Sequence, residues 1–314
     1  MVIGMRTHWI LVRLKGEEMD RTKYLGASDI PAVLGLSPFK SALDVFLEKT
    51  GRLVQGPPSI PMRAGNYLEP LVLSLFTERT GIALKGYQAN LTLPAHPFIA
   101  ATVDSLTEDD SAVVEAKTTG SGEGWGEEET DQVPEHILVQ CVQQMAIADL
   151  PMVWIPVLIG RTDFRIYRIE RDLELEKIVI ERGVKFWTEN VLADVAPDPR
   201  TLEDLKLLFP VSRGKEIPAD DKILVSVGKL QAISRQIEDL EKMEKVLKFE
   251  IQSYMGDADT LLGGMGGKKI ATWKTQERTT IDTKALKEAH PQIAELVSKT
   301  TTSRVFRLTS TKEK

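Results

Sequence analysis

The chain has 314 residues, 42% hydrophobic and 27% charged, which is typical of a soluble globular protein with one large domain or two smaller ones. No apolar run approaches the roughly 20 residues of a membrane span, so we expect a cytosolic protein. The formal net charge of −6 argues against a uniformly basic nucleic-acid coat and leaves room for local basic surfaces.

Cysteine and histidine content limits the kind of metal site that the chain can carry. One cysteine excludes a disulfide framework and any four-cysteine zinc or iron–sulfur site, and four scattered histidines give no zinc-ligand spacing. A bound metal would therefore be held by carboxylate oxygens, which favours Mg²⁺, with Mn²⁺ as a substitute.

Hydrophobic periodicity predicts the elements of residues 20–192. Helices are indicated by apolar residues three or four apart, by N-caps at Ser28 and Ser41, and by terminating glycines such as Gly51 and Gly81. Strands are indicated by short apolar runs between turn residues. In chain order we predict helix over 21–51 with a break at 35–38, a loop over 54–61, helix over 65–80, strands over 89–93, 98–104 and 112–118, helix over 134–148, strands over 153–159 and 163–169, and helix over 171–190. This alternation predicts an α/β sheet flanked by helices.

The C-terminal third has a different pattern. A heptad series of apolar residues predicts a long helix, either packed on the chain's own core or forming an intermolecular coiled coil. The residues after 255 carry 11 Lys/Arg and 7 Asp/Glu, a local net charge of +4. There we predict a glycine hinge at 263–267, strands over 269–275 and 304–308, and a helix over 283–290. The expected domains are an N-terminal extension (1–19), a core (20–192), a linker with a short helix (193–222), a heptad helix (223–255) and a small basic α+β tail (256–314).

The most informative motif is Glu115-Ala116-Lys117, which follows Asp104 by eleven residues. Two apolar runs joined by an acidic turn predict a β-hairpin, in which residues two apart point to the same face. Glu115 and Lys117 would then lie side by side, with Asp104 at the end of the neighbouring strand. Two carboxylates and an ammonium suit Mg²⁺ and a water to be deprotonated, the chemistry of phosphodiester cleavage. A solvated surface hairpin with the same charges is the alternative.

Four separated segments resemble one family, the YqaJ-type phage recombination nucleases, relatives of phage lambda exonuclease in the PD-(D/E)xK superfamily. The matching segments are Leu25–Ile30 with Leu34–Ser41, Gly65–Pro70 around Glu69, the hairpin of Asp104, Glu115 and Lys117, and Pro134–Ala146 with Gln140 and Gln144. The resemblance covers about residues 20–190. It implies a restriction-endonuclease-like core, a central mixed sheet flanked by helices, with a C-terminal helical arm and a small α+β tail.

The resemblance also implies roles for the residues of the hairpin. Asp104 and Glu115 would bind Mg²⁺ directly with the Ala116 backbone carbonyl, and Glu69 would act through a metal-bound water or a second ion. Lys117 would orient and help deprotonate the attacking water, and Gln140 would hold that water or the scissile phosphate. From the residues alone, without the resemblance, Gln140, Gln143 and Gln144 are better explained as the polar face of a surface helix.

A second set of residues is implied to bind DNA and its 5′-phosphate: Arg21, Ser28, Lys40 and Gln144. Arg21 and Ser28 stand seven apart, and a guanidinium donates two parallel hydrogen bonds to a phosphate. Ser28 could also be a plain helix N-cap, which is compatible with an anion at a helix N-terminus.

The function implied by the resemblance is a Mg²⁺-dependent exonuclease that digests double-stranded DNA ends 5′→3′ and leaves 3′ single strands for a phage annealing protein. Relatives form trimeric rings around DNA, and the setting would be the cytoplasm of a bacterial host. A structure-specific endonuclease on the same core, or a non-catalytic DNA-binding and recruitment module, are the alternatives.

Overall fold

A computed structural model describes residues 20–53, 56–85, 89–264 and 267–309. The expected N-terminal extension, residues 1–19, lies outside the described residues. The chain divides into two compact units, Met1–Leu208 and Phe209–Lys314, and each is described by itself.

The first unit is a mixed α/β structure. Its helices are α1 (Ile30–Leu34), α2 (Ala42–Lys49), α3 (Ile60–Thr80), α4 (Glu135–Ala148), α5 (Leu173–Phe186) and α6 (Leu202–Leu208), with a π-helical turn at Trp187–Leu192. Its strands are β1 (Leu25–Gly26), β2 (Leu84–Lys85), β3 (Ala89–Leu93), β4 (His96–Val103), β5 (Ser105–Thr107), β6 (Val113–Val114), β7 (Lys117–Thr119), β8 (Met152–Ile159) and β9 (Asp163–Glu170).

The larger sheet has a central strand, β8, that pairs with β9 on one side and with both β6 and β7 on the other. Val113 and Lys117 face Val153 and Val157 of β8 in the same parallel register. The strands β6 and β7 are therefore one line of chain, interrupted at Glu115-Ala116. On the far side of β6 lie β5 and then β2, both antiparallel to their neighbours.

A smaller sheet, in the order β1-β4-β3, is joined directly to the larger one at Asp104. The strand β4 ends at Val103 and β5 begins at Ser105, so Asp104 lies where the backbone leaves one sheet and enters the other. The strand predicted over 98–104 is thus not the hairpin partner of Val113-Val114, since that partner is β5. The hairpin exists, but it begins after Asp104 instead of ending at it.

Helices cover both faces of the larger sheet. The helix α3 packs on one face through Leu73 and Phe76, which meet Val114, whereas Val113 belongs to the main core on the opposite face. The helices α4 and α5 contribute to that main core, as the alternating orientation along a strand requires. The predicted fold class, a mixed sheet flanked by helices, is confirmed.

Local predictions fail at two helix starts. The N-cap residue of α1 is Asp29 and not Ser28, and the Asp29 side chain makes no capping hydrogen bond to the helix. The helix α3 begins within the predicted loop, because Ser59 caps it and Pro61 occupies its first turn. The Ser41 prediction is confirmed, since Ser41 and Asp44 form a reciprocal capping box.

The second unit contains a 35-residue helix, α7 (Asp221–Met255), a hairpin of β10 (Thr260–Gly263) and β11 (Lys268–Thr272), and the short helices α8 (Thr283–Ala289) and α9 (Pro291–Val297). The segment predicted as a hinge lies between the paired strands β10 and β11, with positive φ at Gly264 and Gly267, and its residues 265 and 266 lie outside the described residues. The strand predicted over 304–308 is absent from the described residues. Of the helices in the described ranges, none is both long and apolar enough to span a bilayer.

Candidate active site

The interruption between β6 and β7 brings Asp104 onto the Glu115-Ala116 backbone. The Ala116 N–H donates to Asp104 Oδ2 at 2.9 Å, and the Glu115 N–H donates to the Trp154 carbonyl at 2.9 Å. Glu115 therefore stays anchored to β8 while the next peptide turns its N–H towards Asp104. The backbone N–H of Ala116 therefore holds the carboxylate of Asp104, the residue that precedes the hairpin.

Glu115 is 4% exposed and accepts three hydrogen bonds from side chains. Its Oε1 accepts from Lys117 Nζ at 2.7 Å and from Gln140 Nε2 at 2.6 Å. Its Oε2 accepts from Gln144 Nε2 at 2.6 Å. A carboxylate buried this deeply needs such donors to remain charged.

The two glutamines come from one face of α4, where residues four apart are neighbours. Gln140 also accepts from Lys117 Nζ at 3.1 Å, so Lys117, Glu115 and Gln140 form a closed triangle of hydrogen bonds. Gln144 is fully buried and its Nε2 also donates to the Thr102 carbonyl at 3.1 Å, while its Oε1 has no partner. The surface-helix interpretation of these glutamines is wrong.

The electrostatics of Asp104 show an excess of negative charge. Burial first, and then the charges of Glu115 and Glu69, raise the pKa of Asp104 to about 8, although Lys117 and the Ala116 N–H act in the opposite direction. Asp104 is therefore mostly protonated at neutral pH as it stands. A cation placed beside it would favour the ionised form.

Lys117 has a side chain that is 20% exposed. Burial lowers its pKa, but the charges of Glu115 and Asp104 outweigh burial and the pKa is raised overall. Lys117 is thus held as an ammonium that donates hydrogen bonds.

Glu69 approaches the cluster from α3, on the opposite side of the sheet edge from α4. Its charge is one cause of the raised pKa of Asp104, so the two carboxyls lie within electrostatic range. One turn earlier, Gly65 passes Thr118 of β7 closely enough that an added Cβ would lie 3.5 Å from the Thr118 hydroxyl. This close passage keeps the Glu69 turn of α3 against the strand that carries Lys117.

The donor set fits a hard divalent cation. In the described part of the chain, no three Asp, Glu, His or Cys side chains already surround one point as a metal cluster. Asp104, Glu115 and the intervening Ala116 backbone do provide adjacent oxygens, and Mg²⁺ is commonly held by one or two carboxylates with waters in its other positions. The raised pKa of Asp104 shows that negative charge is concentrated at this point, and a divalent cation would neutralise it.

A second group of implied site residues lies at the start of the unit. An Arg21 guanidinium nitrogen donates to the Ser28 hydroxyl at 3.5 Å, and both side chains are exposed. The structure therefore brings together the two residues that stand seven apart in the sequence. Lys40 is placed differently, because its ammonium donates to Asp29 at 2.6 Å and to Glu48 at 3.1 Å.

Asp29 organises this second group, and sequence reasoning missed it. It is fully buried, it accepts from Gly26 N–H at 3.1 Å, and Lys49 reaches it at 2.7 Å. Burial acts to raise its pKa, but Lys40 and Lys49 prevail and lower the pKa to about 2. The sign of this role in the sequence is an acidic residue directly after Ser28. Asp is common at helix starts, so the sequence alone does not distinguish an ion-pair centre from an ordinary N-cap.

His136, at the start of α4, was also not recognised. Burial and then the charge of Lys117 lower its pKa, which places it near the cluster of Lys117 and Glu115. Its ring packs edge-on against Phe39, with centroids 5.8 Å apart. Phe39 is 84% exposed, so an aromatic side chain is accessible to solvent next to His136.

Comparisons with known proteins agree with the motifs. Residues 8–151 match the sequence profile of the YqaJ-like viral recombinase domain. The protein YqaJ of Bacillus subtilis (strain 168) is 31% identical over 309 residues, covering 96% of this chain and 93% of its own.

Solved structures with some similarity include the alkaline exonuclease LHK-Exo from Laribacter hongkongensis (19% identity, 56% of this chain, 91% of that chain, TM-score 0.46). A phage-related exonuclease from Haemophilus somnus 129PT is also similar (15% identity, 55% and 96% coverage, TM-score 0.40). On its sequence match to YqaJ along nearly its whole length, the chain belongs to the YqaJ family of viral recombinase-like proteins.

Proposed function

We propose that this protein is a Mg²⁺-dependent exonuclease that hydrolyses phosphodiester bonds at double-stranded DNA ends. The observation that carries the proposal is the convergence of Asp104, Glu115, Lys117 and Gln140 at the interrupted strand, within a buried hydrogen-bonded cluster. Charges held this way serve no packing purpose, because a buried ion cluster contributes little net stability.

Each residue has a distinct part in the proposed hydrolysis. Asp104, Glu115 and the Ala116 carbonyl would hold the cation, with Glu69 acting through water or at a second ion. Bound Mg²⁺ would supply charge neutralisation at the attacking and leaving oxygens and a lowered pKa for the attacking water. Gln140 would hold that water or the scissile phosphate through the amide that now bridges Lys117 and Glu115.

Lys117 would orient the attacking water and help to deprotonate it. Its raised pKa is caused by Glu115 and Asp104, which are the same carboxylates that would bind the ion. Neutralising those carboxylates removes the cause of the shift, and burial then lowers the pKa of Lys117 towards a value at which its amine can take a proton. Gln144, buried beneath Glu115, fits a role in fixing that carboxylate better than direct contact with DNA.

Recognition of the end is assigned to the Arg21 and Ser28 pair. Both are exposed and adjacent, and together they present a guanidinium and a hydroxyl to a terminal 5′-phosphate. Lys40 would be a further cation of this group, and its bonds to Asp29 and Glu48 hold it in place. This assignment implies 5′→3′ digestion.

Digestion in that direction would leave 3′ single strands for an annealing protein in the cytoplasm of a bacterial host. A trimeric ring around DNA would let an acidic chain stay processive, since the contacts would line the channel. These partners follow from family membership and are part of the proposal.

The test is digestion of linear duplexes labelled at either end, with and without 5′-phosphate, in Mg²⁺ and in EDTA. We expect Mg²⁺-dependent release from the 5′-phosphorylated end and loss of at least about 100-fold in rate for Lys117→Ala, the scale of removing a general acid or base. Glu108→Gln, an exposed acid in the hairpin turn, is the matched control and should keep the rate. Full activity of Lys117→Ala would refute the site, and equal cutting of closed circular DNA would show an endonuclease.

A further inference from the structure

The helix α7 carries a stripe of apolar residues that nothing in the described part of the chain covers well. Apart from the position taken by Glu244, the stripe keeps alternating three- and four-residue spacing, and its side chains are between 40% and 81% exposed: Leu230, Ile233, Ile237, Leu240, Leu247, Ile251 and Tyr254. Only Met255, at the very end of the helix, is buried. An average spacing of 3.5 residues is that of a coiled-coil seam.

A partner for this stripe is required on physical grounds. The helix is about 52 Å long, at 1.5 Å per residue. Most helical stability in proteins comes from packing an amphipathic face, and a long helix without such packing is marginal in water. A helix of 35 residues with an open apolar seam is therefore incomplete by itself.

We propose that α7 pairs with α7 of a second copy of this chain in an antiparallel two-stranded coiled coil. This inference goes beyond the proposed function and does not depend on it. With Leu230 as position a, the central heptads place Ile237 and Ile251 at a and Leu240 and Leu247 at d. In an antiparallel pair the a positions of one helix lie opposite the d positions of the other, so that Ile237 would meet Leu247 and Ile251 would meet Ile233.

The size and charge of the seam suit self-association. Seven side chains about half exposed on each helix would bury on the order of 1,200 Å² in total when two copies pair, the lower end of stable interfaces. The helix has six Asp/Glu and six Lys/Arg, so two copies meet without net repulsion. A two-fold pair needs only one self-complementary surface, which an a/d seam provides.

Glu244 decides the orientation. It occupies an a position within the seam, where it pairs with Lys248 of its own helix at 2.6 Å. In a parallel in-register pair the two Glu244 carboxylates would face each other in one layer, a like-charge contact. In the antiparallel pair that overlaps both seams fully, Leu230 lies opposite Tyr254 and Glu244 opposite Leu240, so the carboxylates are about 6 Å apart along the axis.

The first test is the mass of the full chain by light scattering. The double variant Ile237→Glu with Leu247→Glu should halve the mass of the assembly. Val246→Glu with Phe249→Glu is the matched control, because it adds the same charges at exposed apolar positions of α7 outside the seam. Equal masses for wild type and the seam variant, including a monomer in both, would overturn the proposal.

The second test uses variants that should keep the coiled-coil pair intact. In the antiparallel register Ile237 of one copy lies opposite Leu247 of the other, whereas two Ile237 positions are about 15 Å apart along the axis. A mixture of Ile237→Cys and Leu247→Cys chains should form a covalent dimer on mild oxidation, and Ile237→Cys alone should not. The native Cys141 is buried and does not compete. Cross-linking of Ile237→Cys alone, or of neither sample, would contradict the antiparallel pair.

Discussion

Asp104→Asn should stabilise the metal-free protein while abolishing the proposed nuclease activity. Asp104 is forced into a buried site already occupied by Glu115 and approached by Glu69, and these raise its pKa to about 8. An amide keeps an oxygen that can accept from the Ala116 N–H, and it carries no charge. The substitution therefore removes the ionisable group of residue 104 and leaves the shape of the site, with Glu115 still buried.

The magnitude follows from linkage. The pKa of a free Asp is 3.8, so keeping this carboxyl protonated at pH 7 costs about 4 kcal/mol at 1.36 kcal/mol per pH unit. Part of that cost remains after the substitution, because Glu115 stays buried, so we expect a gain of about 2 kcal/mol. For a unit of about 200 residues this corresponds to an increase in Tm of about 4–8 °C.

The dependence on pH gives the sharpest test of the cause. A raised carboxyl pKa costs nothing below the unfolded value near 4, and the cost grows as the pH rises from there to about 8. The stability difference between Asp104→Asn and wild type should therefore be near zero at pH 4 and widen up to pH 8, in EDTA. Thermal and urea unfolding measure it, and Glu108→Gln on the same hairpin should show no such trend.

Magnesium provides the opposite readout in the same assay. Adding Mg²⁺ should raise the Tm of wild type, because a ligand that binds the folded state stabilises it, and should raise that of Asp104→Asn much less. A variant that is less stable than wild type at pH 7 to 8 in EDTA, or a stability difference that does not change with pH, would refute the crowded-carboxylate account of the site.

Three further predictions concern other residues. Asp29→Asn should cost about 3 kcal/mol in urea unfolding, because Lys40 and Lys49 then lose a buried partner, and the loss should fade as the pH falls from about 4 to 2; an unchanged midpoint would contradict the ion-pair assignment. Gly183→Ala should cost about 1–3 kcal/mol, since its Cβ would meet three packed side chains at 3.1–3.4 Å, and wild-type stability would show that they can move. Arg21→Ala should reduce the rate advantage of 5′-phosphorylated over unphosphorylated duplexes about tenfold at an unchanged rate on the latter, and a preserved ratio would place end recognition elsewhere.

Many helices and strands of the core could be predicted from the sequence, because the spacing of their apolar residues is a local property of the chain. The short apolar run around Val113-Val114, bounded by turn residues, and the period of 3.6 in α4 and α3 identify those elements without any tertiary information. The pairing of Gln140 with Gln144 on one helix face follows from their spacing alone. What they bind does not, because Glu115 lies 25 and 29 residues away in the sequence.

The exchange of sheets at Asp104 could not be predicted, since it depends on pairing partners that are distant in sequence. The apolar run before Asp104 looks the same whether it pairs with β6 or with β1 and β3. Ser28 illustrates the same limit on a smaller scale. Ser and Asp both favour helix starts, and only the distant Lys40 and Lys49 decide that the carboxylate is used for ion pairs and the serine hydroxyl faces Arg21.

The hydrogen-bonded cluster also offers a way for the proposed site to be stable without metal and reactive with metal bound. In the resting arrangement a protonated Asp104 is neutral, and the ammonium of Lys117 balances the charge of Glu115. Lys117 then has no free electron pair to accept a proton, so no base faces the water. A divalent cation held by Asp104 and Glu115 in place of the Asp104 proton would add positive charge beside Lys117 and would thereby lower the pKa of Lys117. The residues that bind the ion and the residue that takes the proton would thereby be coupled, and the coupling follows from their being neighbours at one break in one strand.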